Sequence, residues 1–253
     1  MSLSEKVIMT DLHFPIIGYM CSPYREKFGI PRQPNLVQVE SYIEMLAPYN
    51  DLLAFEGIEE FSHLWLLWQF HENKHQENKH QENQNFRPQV RPPRLGGNKK
   101  AGISATRSMY RPAPIGLSVV QFKKVQKVGQ SVRLYVTGSD LLNGTPLLDI
   151  KPYIQYSDAI LDAKSGYAQQ EPERKQVFWH TDAQKEQEVL QEQQQLTQQM
   201  IDELEQVLAL DPRPAYQHDE QRIYGLSFAN LNIKFQVNQT QIQILEIKYI
   251  QSK

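Results

Sequence analysis

Cysteine is nearly absent: Cys21 is the one thiol in 253 residues, so no internal disulfide is possible and a reducing, cytoplasmic setting is expected. Nothing beside it in sequence would lower its pKa, and it reads as a small core hydrophobe, not a nucleophile. Long apolar runs are missing too. The longest, Leu64-Trp65-Leu66-Leu67-Trp68, is a strand's worth, far from the ~18 residues of a membrane-spanning helix. Met1 to Asp11 mixes charges with isolated apolar residues and lacks the apolar stretch of a secretory leader. A soluble protein with no membrane partner is expected. Neither G-x-G-x-x-G nor G-x-x-x-x-G-K-[ST] occurs, which argues against Rossmann dehydrogenases and P-loop ATPases.

Acidic residues are absent from Gln84 to Ser139, a stretch that holds eleven Lys and Arg. The rest of the chain sets 16 basic residues against 29 acidic ones, so the net charge of −2 conceals a segregated field. A polyanion is the natural partner; the bland alternative is a solvated face whose balancing acids come from elsewhere in the fold. With 40% hydrophobic residues, the chain has enough apolar content to bury about 70 to 75% of its unfolded surface in one or two domains.

Residues 71 to 84 repeat His, Glu, Gln, Asn and Lys at a period near five with almost no apolar content, a slack polar insertion. His71 differs, because it ends the apolar run Phe61 to Phe70 and falls at an expected strand end. Alternation and Gly/Pro punctuation predict strands at Phe14 to Met20, Phe61 to Phe70, Gly102 to Thr106, Leu117 to Val128, Ser131 to Thr137 and Leu147 to Tyr153. With no long helices between them, a mainly antiparallel β-barrel or sandwich is expected. After Gly166 the pattern Val189, Leu190, Leu196, Met200, Ile201, Leu204, Val207, Leu208 predicts one long amphipathic helix. Thr181 and Gln184 would cap it, and Asp211-Pro212 would stop it. A hairpin is expected over Leu231 to Val237 and Ile242 to Tyr249. We divide the chain into a β domain, 1–168, and a small α+β domain, 169–253.

Three clusters carry chemistry. In Arg87-Pro-x-x-Arg91-Pro-Pro-Arg94-Leu-Gly96-Gly97-Asn98, prolines space guanidinium groups suited to phosphate, and a Gly-Gly step allows close backbone approach. Ala105-Thr106-Arg107-Ser108-x-Tyr110-Arg111-Pro112-x-Pro114-Ile115-Gly116-Leu117-Ser118 has the same texture. Asp140-Leu141-Leu142-Asn143-Gly144-Thr145-Pro146-Leu147-Leu148-Asp149-Ile150-Lys151 sets an Asn-Gly turn before a strand in which Asp149 is either a turn anchor or a catalytic acid.

These clusters, with Ser22-Pro-Tyr24-Arg-Glu-Lys-Phe28-Gly-Ile-Pro31-Arg32-Gln33-Pro34 and Asp211-Pro212-Arg213-Pro214-Ala215-Tyr216, strongly resemble the bacterial TrmO-type tRNA methyltransferases. That family acts on N6-threonylcarbamoyladenosine beside the anticodon. The resemblance implies a non-Rossmann β-barrel that binds S-adenosylmethionine, forms a homodimer, and methylates N6 of the modified adenosine in the anticodon arm of threonine tRNA. It also implies a cofactor pocket at Pro31, Arg32, Gln33, His71, Glu72, Arg107, Leu117, Thr145, Pro146, Leu147 and Leu148.

An exocyclic nitrogen conjugated to a purine and a carbamoyl group holds its lone pair poorly, so positioning and proton removal must help. Asp149 is nominated as base and Asn98 as a partner of the base or threonyl group. Arg87, Arg91, Arg94, Lys99, Lys100, Arg111 and Arg213 are nominated for RNA, and no metal is assigned. Two rivals stay open: a non-catalytic RNA-binding module gripping through Tyr24, Phe28 and Tyr110, and a metal-dependent hydrolase using His63, His71 and His75.

Overall fold

The computed structural model describes residues 12–72, 87–96, 98–214, 217 and 219–250. The polar repeat from 73 on, Gly97, Ala215 and Tyr216 lie outside them, as does His75 of the hydrolase rival. The expectation of a mainly β protein holds. The first strands are β1 (Gly18–Cys21), β2 (Glu40–Met45) and β3 (His63–Gln69). A two-residue ribbon follows, β4 (Gln89–Val90) with β5 (Ala101–Gly102), then β6 (Ile115–Val128), β7 (Ser131–Thr137) and β8 (Pro146–Pro152). Six of these pair antiparallel in the order β1-β2-β7-β6-β3-β8 and close into a barrel.

Period-two alternation explains the closure. Leu64 and Leu66 of β3, Val120 of β6, Leu134 and Val136 of β7 and Leu147 of β8 point inward and are fully buried, each contributing roughly 1.5 to 3 kcal/mol. The next inward residue of β3, Trp68, lies over Gly116 of β6, where a Cβ would come within 2.2 Å of the indole. Only glycine leaves room for that ring.

After the one-turn helix α1 (Gln155–Asp158) the chain forms β9 (Gln176–Trp179), helices α2 (Thr181–Glu192) and α3 (Gln198–Ala209), and strands β10 (Tyr224–Phe228), β11 (Leu231–Val237) and β12 (Gln241–Tyr249). The sheet order is β10-β11-β12-β9, with β9 parallel to β12. Ala183, Leu190, Ile201, Leu204 and Leu208 of the helices belong to one core with Leu226, Phe228, Ile233, Phe235 and Ile244 of the sheet.

Several expectations are corrected. The single long helix is two, because Gln194 turns to a left-handed φ of 58° and Thr197 starts a new helix by accepting a hydrogen bond from Met200 N at 3.2 Å. The cap of α2 is His180, whose Nδ1 accepts from Asp182 N, so Thr181 is already helical. Of the strand expected at Gly102 to Thr106, only Ala101–Gly102 forms; a 3-10 turn over Ile103–Ala105 replaces the rest. Strands β2, β9 and β10 were not anticipated. The terminal hairpin forms as β11 and β12.

One segment ties the two cores together. Tyr24, Val37 and Val39 are buried in the core of the helices and β9 to β12. Arg25 donates to Ala229 O at 2.7 Å and to Asn230 Oδ1 at 2.6 Å, while Glu26 accepts from Ser227 N at 2.8 Å. Gly29, at φ +90°, sits so close to Leu226 that a Cβ would meet it at 2.4 Å. The Pro31–Gln33 turn that follows is therefore braced from the C-terminal sheet.

Candidate functional site

Between the mouth of the barrel and the C-terminal sheet lies a cleft of about 3410 Å³. Small-molecule sites run to about 300 to 1,000 Å³, so this one has room for a nucleotide-sized ligand and part of a polymer. Pro31, Arg32, Gln33, His71, Glu72, Arg107, Leu117 and Thr145 all line it. Residues separated by more than a hundred positions in sequence are thus brought to one place. Pro146, Leu147 and Leu148 are not in the lining; Leu147 faces the barrel interior.

The barrel wall is built by short, specific contacts. Arg107 Nη1 donates to Gln33 Oε1 at 2.6 Å, linking two of the expected turns. Arg111 Nη1 donates to Thr106 O at 2.6 Å and so braces the loop that carries Arg107. Thr145 is buried, its hydroxyl donating to Leu142 O at 2.7 Å. Lys27 Nζ holds the carbonyl of Glu72 at 2.6 Å, and burial pushes the His71 imidazole below its usual pKa, so it is neutral at pH 7. Leu117, 52% exposed and on the face of β6 opposite to that of Gly116 and Ser118, offers an apolar surface to the cleft.

Arg87, Arg91, Arg94 and Lys100 line the same cleft from the β4–β5 ribbon and its loop, and none holds an ion pair among the described residues. Lys99 and Asn98 are exposed on that loop, outside the lining. Arg213 reaches the cleft from the other side but is committed: its Nη2 and Nε bind the two oxygens of Asp211 at 2.8 and 2.9 Å, and its plane lies over Tyr224. Lys175 completes that network, 3.8 Å from Asp211.

Asp149 is not brought to the cleft. Its carboxylate meets Lys151 Nζ at 2.6 Å and accepts from Ile150 N at 2.9 Å. The acid at the mouth of the barrel is Asp140, which sequence reasoning passed over. Trp68 Nε1 donates to Ser118 Oγ at 3.0 Å, and Ser118 donates to Asp140 Oδ1 at 2.6 Å. Surrounding protein raises the Asp140 pKa to about 6 by desolvation, opposed by Ser118, its own backbone amide and the more distant Arg107. A signal existed: Asp140 is the residue that ends the acid-free stretch. Among the described residues no group of three His, Cys, Asp or Glu is placed to hold a metal.

The chain matches the family model for the tRNA-methyltransferase O N-terminal domain over residues 19–159 and that for the TrmO C-terminal domain over 172–250. The chain belongs to the TrmO family. Similar to it is the tRNA (adenine(37)-N6)-methyltransferase of Escherichia coli K12, 38% identical over 95% of this chain and 99% of the relative. A protein from Pseudomonas aeruginosa named as a putative S-adenosylmethionine-dependent methyltransferase is 42% identical over 86% of this chain and 89% of its own length. A crystal structure of TrmO from Pseudomonas aeruginosa superposes with a TM-score of 0.75 at 34% identity, covering 96% of this chain and all of that one. Both TrmO matches contribute to the cleft, the first through its barrel wall and the second through Lys175, Asp211 and Arg213.

Proposed function

We propose that this chain is an S-adenosylmethionine-dependent methyltransferase that modifies N6 of N6-threonylcarbamoyladenosine next to the anticodon of threonine tRNA. The observation that carries this reading is the gathering of the Pro31–Gln33 turn, His71, Glu72, Arg107, Leu117 and Thr145 around one cleft that Arg87, Arg91 and Arg94, without an ion pair among the described residues, also line, in a member of the TrmO family.

The residues present fit an adenosyl sulfonium with an amino-acid tail. Leu117 gives an exposed apolar surface for an adenine ring, and Arg107, already oriented by Gln33, suits a carboxylate. When bound, the cofactor supplies an electrophilic methyl group. Arg87, Arg91, Arg94, Lys99 and Lys100 hold the phosphates of the anticodon arm, and Arg111 and Arg213 act as braces for the loops around them. Asn98 stands where the ribbon loop meets RNA, and Pro146 to Leu148 support the pocket from behind Thr145.

We place the domain boundary at 168/169, supported by two cores, the second of which also takes in Tyr24, Val37 and Val39 of the first domain. A homodimer in the cytoplasm completes the reading. Its support is the exposed apolar run Ile154, Tyr156, Ile160 and Leu161, the last fully exposed, together with a tRNA substrate; no helix among the described residues is long and apolar enough to cross a membrane.

The test is mass spectrometry of anticodon-loop fragments after incubation with labelled S-adenosylmethionine and tRNA carrying or lacking the threonylcarbamoyl mark. One added methyl on the marked adenosine is expected. RNA binding without donor binding in equilibrium dialysis would instead make the protein a non-catalytic RNA module.

A further inference from the structure

Methyl transfer to an N6 nitrogen leaves a proton to be removed, and the cleft offers few groups to take it. Glu72, Glu171 and Glu220 stand in solvent at its rim, Asp211 is bound by Arg213, and the neutral His71, beside Glu72, belongs to the donor pocket proposed above. We infer that Asp140 is the carboxylate that receives the N6 proton, held in place by the Trp68-Ser118 hydrogen-bond chain. This rests on the methyltransferase reading above.

Geometry supports the assignment. Asp140 lines the cleft and is partly exposed to it, while Ser118 is 1% exposed. Ser118 receives the Trp68 proton and so must aim its own at Asp140, which fixes the carboxylate without neutralising it. Apart from its own amide, Ser118 is its one hydrogen-bond partner among the described residues. The groups facing it from neighbouring elements are Ser118 on β6, Arg107 on the bracing loop and Tyr24 on the crossing segment. Tyr24 is buried, and burial pushes its phenol far above the usual range, so it stays neutral and does not compete for the proton. Desolvation makes Asp140 a stronger base than a surface carboxylate while leaving it mostly ionised at pH 7.

The step balances. The N6 lone pair forms the bond to the methyl carbon, the carbon–sulfur bond breaks with its electron pair passing to sulfur, and the N6 proton passes to the Asp140 carboxylate, then to water in the cleft.

The test uses the full chain with Asp140→Asn, Asp140→Glu and Ser118→Ala. Carboxyl ¹³C NMR of the free protein should show a resonance titrating near pH 6 that disappears in Asp140→Asn. Single-turnover methyl transfer should fall ~10²- to 10⁴-fold in that variant, with donor affinity in dialysis unchanged within about twofold, and Asp140→Glu should recover part of the rate. Ser118→Ala removes a bond that favours the charged form, so the acid limb of its rate profile should move to higher pH. That shift carries the test even if Asp140→Asn fails to fold. Wild-type-like turnover in Asp140→Asn, or a loss of donor affinity as large as the loss of rate, would overturn the assignment. A wild-type protein that titrates as expected but methylates neither form of tRNA would overturn the reading beneath it.

Discussion

The two walls of the cleft differ in how their charges are satisfied. On the C-terminal side Arg213, Asp211 and Lys175 close on one another, and Arg213 also stacks on Tyr224. On the barrel side Arg87, Arg91, Arg94 and Lys100 have no ion pair among the described residues, and Asp140 holds a charge against desolvation with only a serine and its own amide bonded to it. Folding satisfies the first wall; on the second it leaves Arg87, Arg91, Arg94 and Lys100 to solvent or a ligand. Cations of the same type therefore carry different roles, and proximity to the cleft does not distinguish them.

Removing a charge from the satisfied wall should cost stability. Arg213→Ala leaves Asp211 with only the longer Lys175 contact and loses the Tyr224 contact, an expected loss of about 2 to 3 kcal/mol, or ~5 to 10 °C in calorimetry. A smaller change of melting temperature than in a variant of the ribbon arginines would break the comparison. Gly116→Ala drives a Cβ into Trp68, and overpacking of that kind costs roughly 1 to 3 kcal/mol. It should also reduce turnover by disturbing Ser118, and a fully active, equally stable variant would remove Trp68 from the support of Asp140.

The unsatisfied wall should respond in the opposite sense. The folded pKa of Asp140 lies near 6, above its ordinary 3.8, so ionising it costs stability: the penalty is absent below about pH 4, grows through pH 6 and is complete above it. Asp140→Asn should therefore raise the stability at pH 7.5 by about 1 to 2 kcal/mol, discounted because one edge of the group meets solvent, and leave it unchanged at pH 4. Destabilisation at pH 7.5 would make Asp140 a structural anchor. Asp149→Asn breaks an exposed pair worth 0 to ~1 kcal/mol and should leave single-turnover rates within about twofold.

Much of the barrel was legible, because buried and more exposed residues alternate along β3, β7 and the first half of β6; β8 does not alternate and is marked instead by the Asn143-Gly144 turn before it. The shorter β9 and β10, and β2 with Glu40 and Glu44 among its outward residues, give weaker patterns. The break between α2 and α3 falls in a Gln-rich run where no Gly or Pro announces it. The expected cofactor turns came from motif resemblance, and their meeting in one cleft depends on barrel closure. The same closure separates the two acids of one motif. Asp140 follows the left-handed turn at Gly138 and lines the barrel mouth, while Asp149 lies along β8 beside Lys151. No local spacing rule distinguishes them. Nor does spacing reveal that residues 22–39 pack into the distant C-terminal core.

The most direct test of the division between the walls is the salt dependence of tRNA binding for Arg87→Ala/Arg91→Ala/Arg94→Ala beside Arg213→Ala, each compared with the unaltered chain. The triple variant should lower the slope of log affinity against log salt by roughly 2 to 3 at an unchanged melting temperature, and Arg213→Ala should leave the slope as it is. An unchanged slope in the triple variant, with a reduced one for Arg213→Ala, would reverse the two walls and contradict the account.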